Sequence, residues 1–304
     1  MRLSSILLVV LALTATVSLV CIWFYPSFGD FIEYNEEWNG VRTFVNESGG
    51  TVISSLDMVP ESPDKSVLIT IPNTDYSDQE LVGLKQFIND GGTLLLMDDF
   101  GYGNSVLTYL GVDARFTGRP LLDPLFCYRN QAMPVITDFG TEAKESGILF
   151  IILNHATTLN NIVADQIVAW SSTTSFLDIN DNGTWEQDEP NGPFAVAAVI
   201  TIGKGILKLV SDSSIIINNI FSKDGNRGFI QYLTQNQDLT QNQGETNNIL
   251  IDSSHLVKAS LDTAKERVMS LRMALSNPYA LLGIIAVIFT TVFGYNFKKG
   301  ETIS

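Results

Sequence analysis

The residues best spaced for chemistry form an acidic, amide-rich loop at positions 178–189. This segment matches the calcium-loop pattern D-x-N-x-N-G-x₅-E at every fixed position. Calcium prefers a ring of hard oxygen ligands that carry several formal charges. The pattern therefore predicts a structural calcium site that pins a long loop, with Thr184 contributing its carbonyl. The predicted ligands are Asp178, Asn180, Asn182, Thr184, Glu186 and Glu189.

The neighbours of this loop restrict what it can be. Pro190 follows the last ligand and forbids an ordinary exiting helix, so the pattern indicates a free-standing calcium loop. One alternative is an Asn-rich hairpin whose side chains only cap their own turns. Another is glycosylation, because Asn182-Gly-Thr184 is a glycosylation sequon, as is Asn46-Glu-Ser48. A glycan on Asn182 would remove a calcium ligand.

Other reactive residue types lack the spacing that catalysis or cofactor binding requires. Asp98 and Asp99 follow an apolar run, at the place where open α/β sheets bind ligands, but a solvated or turn-capping pair is the favoured explanation. The nearby Gly101-Tyr-Gly103 lacks the third glycine of a dinucleotide fingerprint. Cys127 has no flanking glycines, and no Gly-x-Ser-x-Gly or Gly-x-Cys-x-Gly elbow occurs. We therefore predict no catalytic and no cofactor-binding residues.

The elements that would position these residues alternate between strands and helices. Ser77-Asp78-Gln79-Glu80 is a capping box that predicts a helix start, and Gly91-Gly92 ends that helix. Apolar runs before and after it predict buried parallel strands. A hairpin is predicted across Gly203-Lys204. The predicted fold class is α/β, a mostly parallel sheet with an antiparallel edge, flanked by helices. The strands are expected at 51–56, 67–71, 93–97, 148–153, 195–202, 205–210 and 249–251, and the other helices near 104–110, 214–220 and 226–233.

The two ends of the chain carry charge-free apolar runs, 3–25 and 278–297. At about 1.5 Å per residue each run covers roughly 30 Å, so the sequence predicts one N-terminal and one C-terminal transmembrane helix. Arg2, Lys298 and Lys299 flank these runs, which favours cytoplasmic termini and an extracytoplasmic central domain in the cell membrane. A cleaved signal peptide is the alternative for the first run.

The remaining segments complete the predicted organisation. Residues 31–234 are expected to form the α/β domain and 235–248 a Gln/Asn-rich linker. Residues 249–277 are expected to form a short strand and a stalk helix, and 298–304 a cytoplasmic tail. The stalk helix is expected to pack on its own domain, with pairing to a partner helix as the alternative. With 33 acidic and 18 basic residues the formal charge is −15, which argues against nucleic acid as a partner.

The order of these features resembles a family of archaeal and bacterial membrane proteins known as domain of unknown function 4350. The resemblance covers most of residues 33–233. It implies a fold similar to class I glutamine amidotransferases, a flavodoxin-type sheet. The matching pieces are Ile71-Pro72-Asn73, Tyr76 to Glu80, Gly91 to Gly101, Gly103-Asn104, Gly192-Pro193-Phe194 with Val196, Gly203-Lys204-Gly205 and Ser211-Asp212.

The resemblance also indicates where this chain departs from the enzymes. Amidotransferases carry a Cys on a glycine-flanked elbow and a His-x-Glu pair, whereas His155 is followed by Ala-Thr and His255 by Leu-Val. The resulting hypothesis is a non-enzymatic, membrane-anchored domain that binds a protein or sugar-polymer partner at the cell envelope. By analogy the partner could belong to a MoxR-type ATPase system. The alternatives are a hydrolase that uses Asp98 or Asp99 with a histidine, and a calcium-dependent structural or adhesive module.

Overall fold

The structure is a computed structural model that describes residues 3–235, 248–276 and Gly283. The chain divides into two compact units. One contains Met1–Ser27 and Lys258–Ser304, and the other contains Phe28–Val257. All of the predicted chemistry lies in the second unit.

The second unit is built on a mixed ten-stranded sheet whose main path runs β1-β14-β2-β3-β13-β12-β10-β7. Neighbours from β1 to β13 along this path are parallel, and those from β13 to β7 are antiparallel. Strand β9 pairs with β12 and β4 beside this path, and two small sheets pair β11 with β5 and β6 with β8. The strands are β1 (Thr51–Ile53), β2 (Ser66–Thr70), β3 (Thr93–Met97), β4 (Arg115–Phe116), β5 (Leu121–Leu122), β6 (Val135–Ile136), β7 (Asp138–Phe139), β8 (Ile151–Ile152), β9 (Leu159–Asn160), β10 (Ile167–Trp170), β11 (Phe176–Leu177), β12 (Ala195–Ile202), β13 (Gly205–Val210) and β14 (Asn248–Asp252).

Within the second unit, short helices accompany the strands, and single 3₁₀ turns occur at 56–58, 164–166 and 213–216. Helix α3 has the predicted capping box, in which Ser77 accepts from the Glu80 amide and Glu80 accepts from the Ser77 amide. The α-helices of the described residues are α1 (Leu3–Phe24), α2 (Arg42–Ser48), α3 (Asp78–Asn89), α4 (Asn104–Leu110), α5 (Thr141–Glu145), α6 (Asn218–Phe221), α7 (Asp224–Thr234) and α8 (Ser260–Ser276).

The central strands are buried on both faces, which explains their unbroken apolar sequences. Alternate side chains enter two separate apolar layers, so Leu95 packs in one layer and its neighbours Leu94 and Leu96 pack in the other. One charged side chain interrupts this pattern. Lys208 of β13 is buried, and its Nζ donates to the carbonyls of Leu233 (2.7 Å) and Gln235 (3.2 Å) at the end of α7. Burial lowers the pKa of Lys208 to about 8.

The predicted sheet is wrong in its proportion of parallel strands. It has four parallel and five antiparallel pairings, so the antiparallel part is half of the sheet and not an edge. The reason is physical. Strands of two residues, such as β4, β7 and β9, are too short to produce an alternating apolar pattern, and they carry much of the antiparallel half.

The prediction of transmembrane helices is also wrong for the part of the chain that the structure describes. Residues 3–24 do form helix α1, but no helix within the described ranges combines the length and apolarity that crossing a membrane requires. The prediction relied on run length and missing charges, and those two criteria alone do not establish a membrane span. Within its own unit, α1 packs beside α8, where the guanidinium of Arg272 lies 5.3 Å from the ring centre of Trp23.

Several predicted segments lie outside the described residues. These are the second apolar run 278–297 except Gly283, the tail 298–304, and the linker except Gln235 and Asn248. The helix predicted after the linker is α8. It belongs to the same compact unit as α1.

Candidate functional site at the carboxyl edge of the sheet

The carboxyl ends of four adjacent parallel strands bring several buried polar side chains together. Strands β14, β2, β3 and β13 are neighbours in that order, so the residues that follow or end them meet along one edge. Residues of this edge that are buried or half-buried are Thr70, Asp98, Asp99, Ser211, Asp212 and Asp252.

Asp98 fixes the loop that leads from β3 into α4. Its side chain is 1% exposed and accepts the backbone amides of Phe100 (2.8 Å), Gly101 (3.0 Å) and Gly103 (2.6 Å). Burial raises the pKa of Asp98, and the three amides oppose that rise. Gly101 has φ +97°, a conformation that favours glycine. The carboxylate therefore holds the whole turn in one geometry.

The same turn presents two aromatic rings to solvent. Phe100 is 71% exposed and Tyr102 is 45% exposed, and their ring centres lie 6.5 Å apart in an edge-to-face arrangement. We call Asp98–Gly103 the aromatic loop.

Asp99 and Asp212 form a pair of carboxyl groups just beyond the ends of the adjacent strands β3 and β13. Asp99 accepts from the amide and the hydroxyl of Ser213, and the hydroxyl distance is 2.9 Å. Asp212 is fully buried and accepts the amides of Asn154 (2.7 Å) and Ser214 (2.8 Å). Burial raises the pKa of Asp99 to about 7. Burial also raises the pKa of Asp212, and the charge of Asp99 adds to that rise.

On the other side of the edge, His255 joins two carboxylates. Its Nδ1 lies 2.7 Å from Oδ2 of Asp252, and its Nε2 lies 3.6 Å from Oε1 of Glu80. The imidazole stacks on Tyr76 with ring centres 3.9 Å apart. The Tyr76 hydroxyl is 2.6 Å from that of Thr70, which donates to Asp252 at 3.0 Å. These residues form a closed polar network between β2, α3 and β14.

The network shifts the pKa values of its two main members in opposite directions. Burial by itself would lower the pKa of His255, but hydrogen bonding and charge from Asp252, with Glu80, outweigh it and raise that pKa. Burial would raise the pKa of Asp252, but hydrogen bonds from His255 and Ser254 outweigh it and lower that pKa. The imidazolium and the Asp252 carboxylate thus stabilise each other.

The calcium-type loop adopts the predicted turn. Asp178 is buried and accepts the amides of Asn182 (3.1 Å) and Gly183 (2.7 Å), and Gly183 has φ +71°. Glu189 is buried at the other end and accepts the amides of Ile179 (2.8 Å) and Glu186 (3.0 Å). The structure therefore brings the first and last predicted ligands to the two ends of one closed loop.

The intervening predicted ligands bond to each other. The side-chain amides of Asn180 and Asn182 donate to Glu186 at 3.2 Å and 2.9 Å, and the Thr184 amide donates to Asn182. All four are exposed. Throughout the described residues, no group of three or more His, Cys, Asp or Glu side chains is placed to hold a metal ion.

The remaining reactive residue types lie apart from this edge or are engaged within it. His155 is exposed at φ +58°, and Cys127 is half-buried with a free thiol. In the part of the chain that the structure describes, no hydrogen bond joins Asp98 or Asp99 to either histidine. The hydrolase alternative thus has both of its carboxyl groups at this edge, but neither histidine is bonded to them. His255 contacts Asp252 and Glu80 instead.

Sequence reasoning identified Asp98 and Asp99 but missed Tyr76, Asp212 and the Asp252–His255 pair. One signal could have found two of them. Asp212 and Asp252 each stand at or just beyond the end of an apolar strand, as Asp98 does. No sequence signal links His255 to Glu80, because the contact depends on β14 pairing beside β2.

Comparisons with known proteins place the chain in a family but assign no activity. The model of a family described as "Domain of unknown function (DUF4350)" matches residues 33–234. No curated protein matches the chain.

Solved structures with a detectable likeness are distant. The one described as mmIFT52 N-terminal domain has a TM-score of 0.45 and 16% identity, covering 57% of this chain and 78% of that one. A β-galactosidase from Bacillus circulans sp. alkalophilus has a TM-score of 0.35 and 13% identity, covering 55% and 22%. A putative ThuA-like protein from Bacteroides uniformis has a TM-score of 0.33 and 12% identity, covering 64% and 78%. All three TM-scores lie below 0.5, so they carry no argument about this chain.

Proposed function

The chain belongs to the DUF4350 family, whose name records no activity, and we propose that it is a non-enzymatic binding domain. In this proposal the aromatic loop engages a protein or a sugar polymer. The observation that carries the proposal is the combination of a buried Asp98 that takes three backbone amides with a Phe100 that is 71% exposed on the same turn.

The energetics of recognition favour this surface. An aromatic ring buries on the order of 150–250 Å² when covered, and aromatic residues are enriched at binding hot spots. Rings also stack on sugars and on protein side chains with little loss of rotamer freedom, because they have only two side-chain torsions. A turn that is already fixed by Asp98 loses little further backbone freedom on binding. Phe100 and Tyr102 therefore provide a preorganised contact.

Among the described residues, the acid–base groups nearest this loop are engaged in the fold, which supports a non-enzymatic role; Asp99 itself accepts both bonds from Ser213. A catalytic carboxylate or imidazole needs a lone pair or proton directed at substrate. Asp98 is occupied by amides, and His255 lies between Asp252 and Glu80. Both groups are used to hold the fold.

The test is loss of a partner on removal of the rings. The tagged full chain, expressed in its native host, is cross-linked, and captured proteins and polysaccharides are quantified for wild type and Phe100→Ala/Tyr102→Ala. The matched control is Trp38→Ala, which removes an aromatic side chain that is 63% exposed elsewhere. A partner lost only in the double variant is expected. Equal capture by all three proteins would contradict the proposal, as would turnover of amide, ester or glycoside substrates that Asp98→Asn abolishes.

A second candidate function is a calcium-dependent structural module. It is favoured by the closed 178–189 loop, whose two end carboxylates are buried while Asn180, Asn182 and Glu186 remain accessible. Rotation of the two side-chain amides would direct their oxygens inward, and each carboxylate oxygen that accepts an amide retains a further lone pair.

Thermal unfolding with calcium, magnesium or chelator tests this candidate. For a millimolar Kd, 10 mM calcium is expected to raise Tm by about 2–4 °C, since the stabilisation is about 1.4 kcal/mol. The variant Asn180→Ala/Glu186→Gln spares the amide contacts of Asp178 and Glu189, so it should fold and lose the shift. No shift in wild type, or an equal shift in the variant, would contradict the site.

A further inference from the structure

A second surface of the domain combines a cavity with positive charge. A cavity of about 520 Å³, largely open to solvent, lies between a short hairpin and the α6–α7 junction. This volume is within the range of about 300–1,000 Å³ that small-molecule sites occupy. Its lining residues are Cys127, Tyr128, Val135, Phe150, Ile152, Ser222 and Lys223.

The apolar wall of the cavity is fixed by the fold. Tyr128 pairs with Met133 through a backbone hydrogen bond of 2.9 Å, and Cys127 forms a bridge with Pro134. Val135 and Ile152 face each other on β6 and β8 and pack in a small cluster of buried apolar residues. The wall is thus part of the folded domain, because its residues pack on a buried apolar cluster.

The rim of the cavity is cationic. The Nζ of Lys223 lies 5.3 Å from the centre of the Tyr128 ring, and the guanidinium carbon of Arg129 also lies 5.3 Å from it. Neither cation forms an ion pair with a carboxylate among the described residues. The two cations lower the pKa of the Tyr128 phenol, with Lys223 as the main cause.

This rim places two cations beside one aromatic ring in a strongly acidic chain. The protein has a formal charge of −15, and its other exposed cations include several that pair with carboxylates, such as Arg42 with Glu36 and Lys144 with Asp138. Two unpaired cations beside a mostly apolar wall are complementary to an anion that carries an apolar body.

We propose that the cavity beside Cys127 is a binding site for a small organic anion with an apolar body, such as an aromatic carboxylate. Lys223 and Arg129 contact the anionic group, while Val135, Phe150 and Ile152 contact the apolar part. The ring of Tyr128 lies between the anionic group and the apolar part of the ligand. The site is independent of the aromatic loop, so either can fail without the other.

Cys127 provides a direct readout, because its thiol lines the cavity. In a Cys21→Ser background, its rate of reaction is measured with the dianionic aromatic disulfide 5,5′-dithiobis(2-nitrobenzoate) and with neutral 4,4′-dithiodipyridine. In each reaction the Cys127 thiolate forms a mixed disulfide, the reagent S–S bond breaks, and the aromatic thiolate leaves with the electron pair.

The variants distinguish the effect of the two positive charges on the reaction of Cys127 from the effect of its accessibility. Lys223→Gln/Arg129→Gln is expected to slow the anionic reagent roughly tenfold relative to the neutral one, because two attractive charges are removed. The matched control is Lys85→Gln, which removes a cation 5.5 Å from the Tyr109 ring, away from the cavity lining, and should leave both rates unchanged. An unchanged rate ratio in the double variant would overturn the proposal.

Protection tests the apolar part of the ligand. 1-Naphthoate should slow the reaction of Cys127 with the neutral reagent at least threefold at saturation, and inorganic phosphate at the same concentration should not. Protection by naphthoate that the double variant loses supports the site. No protection, or equal protection by phosphate, would overturn the assignment to an anion with an apolar body.

Discussion

The two halves of the carboxyl edge bury carboxylates in opposite electrostatic settings. On one half, Asp252 lies 2.7 Å from His255, and its pKa is lowered. On the other half, Asp99 and Asp212 have no described cation among the causes of their shifts, and both pKa values are raised. Both halves stand at the ends of neighbouring parallel strands. Burial alone therefore does not set the charge of a carboxyl group at this edge; the presence of a cation decides it.

Removal of His255, the cation that faces Asp252, should lower the free energy of unfolding the most. His255→Ala leaves the buried Asp252 carboxylate without its partner and opens the space beside Tyr76, so the free energy of unfolding should fall by about 3 kcal/mol. Urea unfolding at pH 7 measures it. The control His155→Asn changes an exposed histidine at φ +58°, where Asn is tolerated, and should change stability by less than about 0.5 kcal/mol. Equal effects would show that the pairing does not stabilise the fold.

A third carboxylate, Asp98, accepts three backbone amides and has no cation among the causes of its pKa shift. It therefore shows what amide hydrogen bonds alone contribute. Asp98→Ala leaves the amides of Phe100, Gly101 and Gly103 without an acceptor, and we expect a loss of about 2 kcal/mol. Faster amide hydrogen exchange at 100–103 should accompany it. The surface variant Asp138→Ala, which removes an exposed pair with Lys144, should cost less than about 1 kcal/mol. Unchanged exchange at 100–103 would mean that Asp98 does not hold the aromatic loop.

Neutralising Asp99, on the half of the edge without a cation, should raise the free energy of unfolding slightly. In Asp99→Asn, the remaining amide oxygen can still accept both bonds from Ser213, since one oxygen of Asp99 accepts both. The substitution removes one of two neighbouring buried charges, so stability at pH 8 should rise by up to about 1 kcal/mol. A loss larger than about 1 kcal/mol would contradict the account of this half.

The pH dependence should distinguish the halves. The folded pKa of Asp99 is raised to about 7, above the value near 3.8 of an ordinary aspartate, so the folded state binds more protons between these pH values. Its contribution to stability is therefore present at low pH and lost as pH rises towards 7. The contribution of Asp252, whose pKa is lowered, is lost instead as pH falls below about 4.

The measurement is the unfolding free energy of wild type minus that of Asp99→Asn, from pH 4 to 8. This difference should decline with rising pH. A flat difference would mean that Asp99 ionises as an ordinary carboxyl group does.

The sequence predicted the elements with strong local signals. Strands β3, β12 and β13 and helix α4 have the predicted bounds, because continuous apolar runs end at glycines or polar residues there. The capping box before α3 is confirmed. The sheet was harder to predict, since β14 comes from beyond residue 247 and inserts between β1 and β2. Such long-range pairing leaves no periodic trace in the sequence.

Long-range contacts also limited what could be predicted of the candidate site at the carboxyl edge. Asp98 and Asp99 were identifiable because they end an apolar run, but which amides or cations they meet depends on β13 and on the turn into α4. The Lys223–Tyr128 contact joins residues almost a hundred positions apart, and no motif marks either one.

The central claim, that the aromatic loop contacts a partner, is tested most directly by a photo-cross-linker at the ring itself. p-Benzoylphenylalanine is incorporated at position 100 or, as control, at position 38 of the full chain in its native host, and adducts are identified after irradiation. The account predicts a discrete adduct at position 100 that is absent at position 38. The same adducts at both positions, or none at position 100, would contradict it.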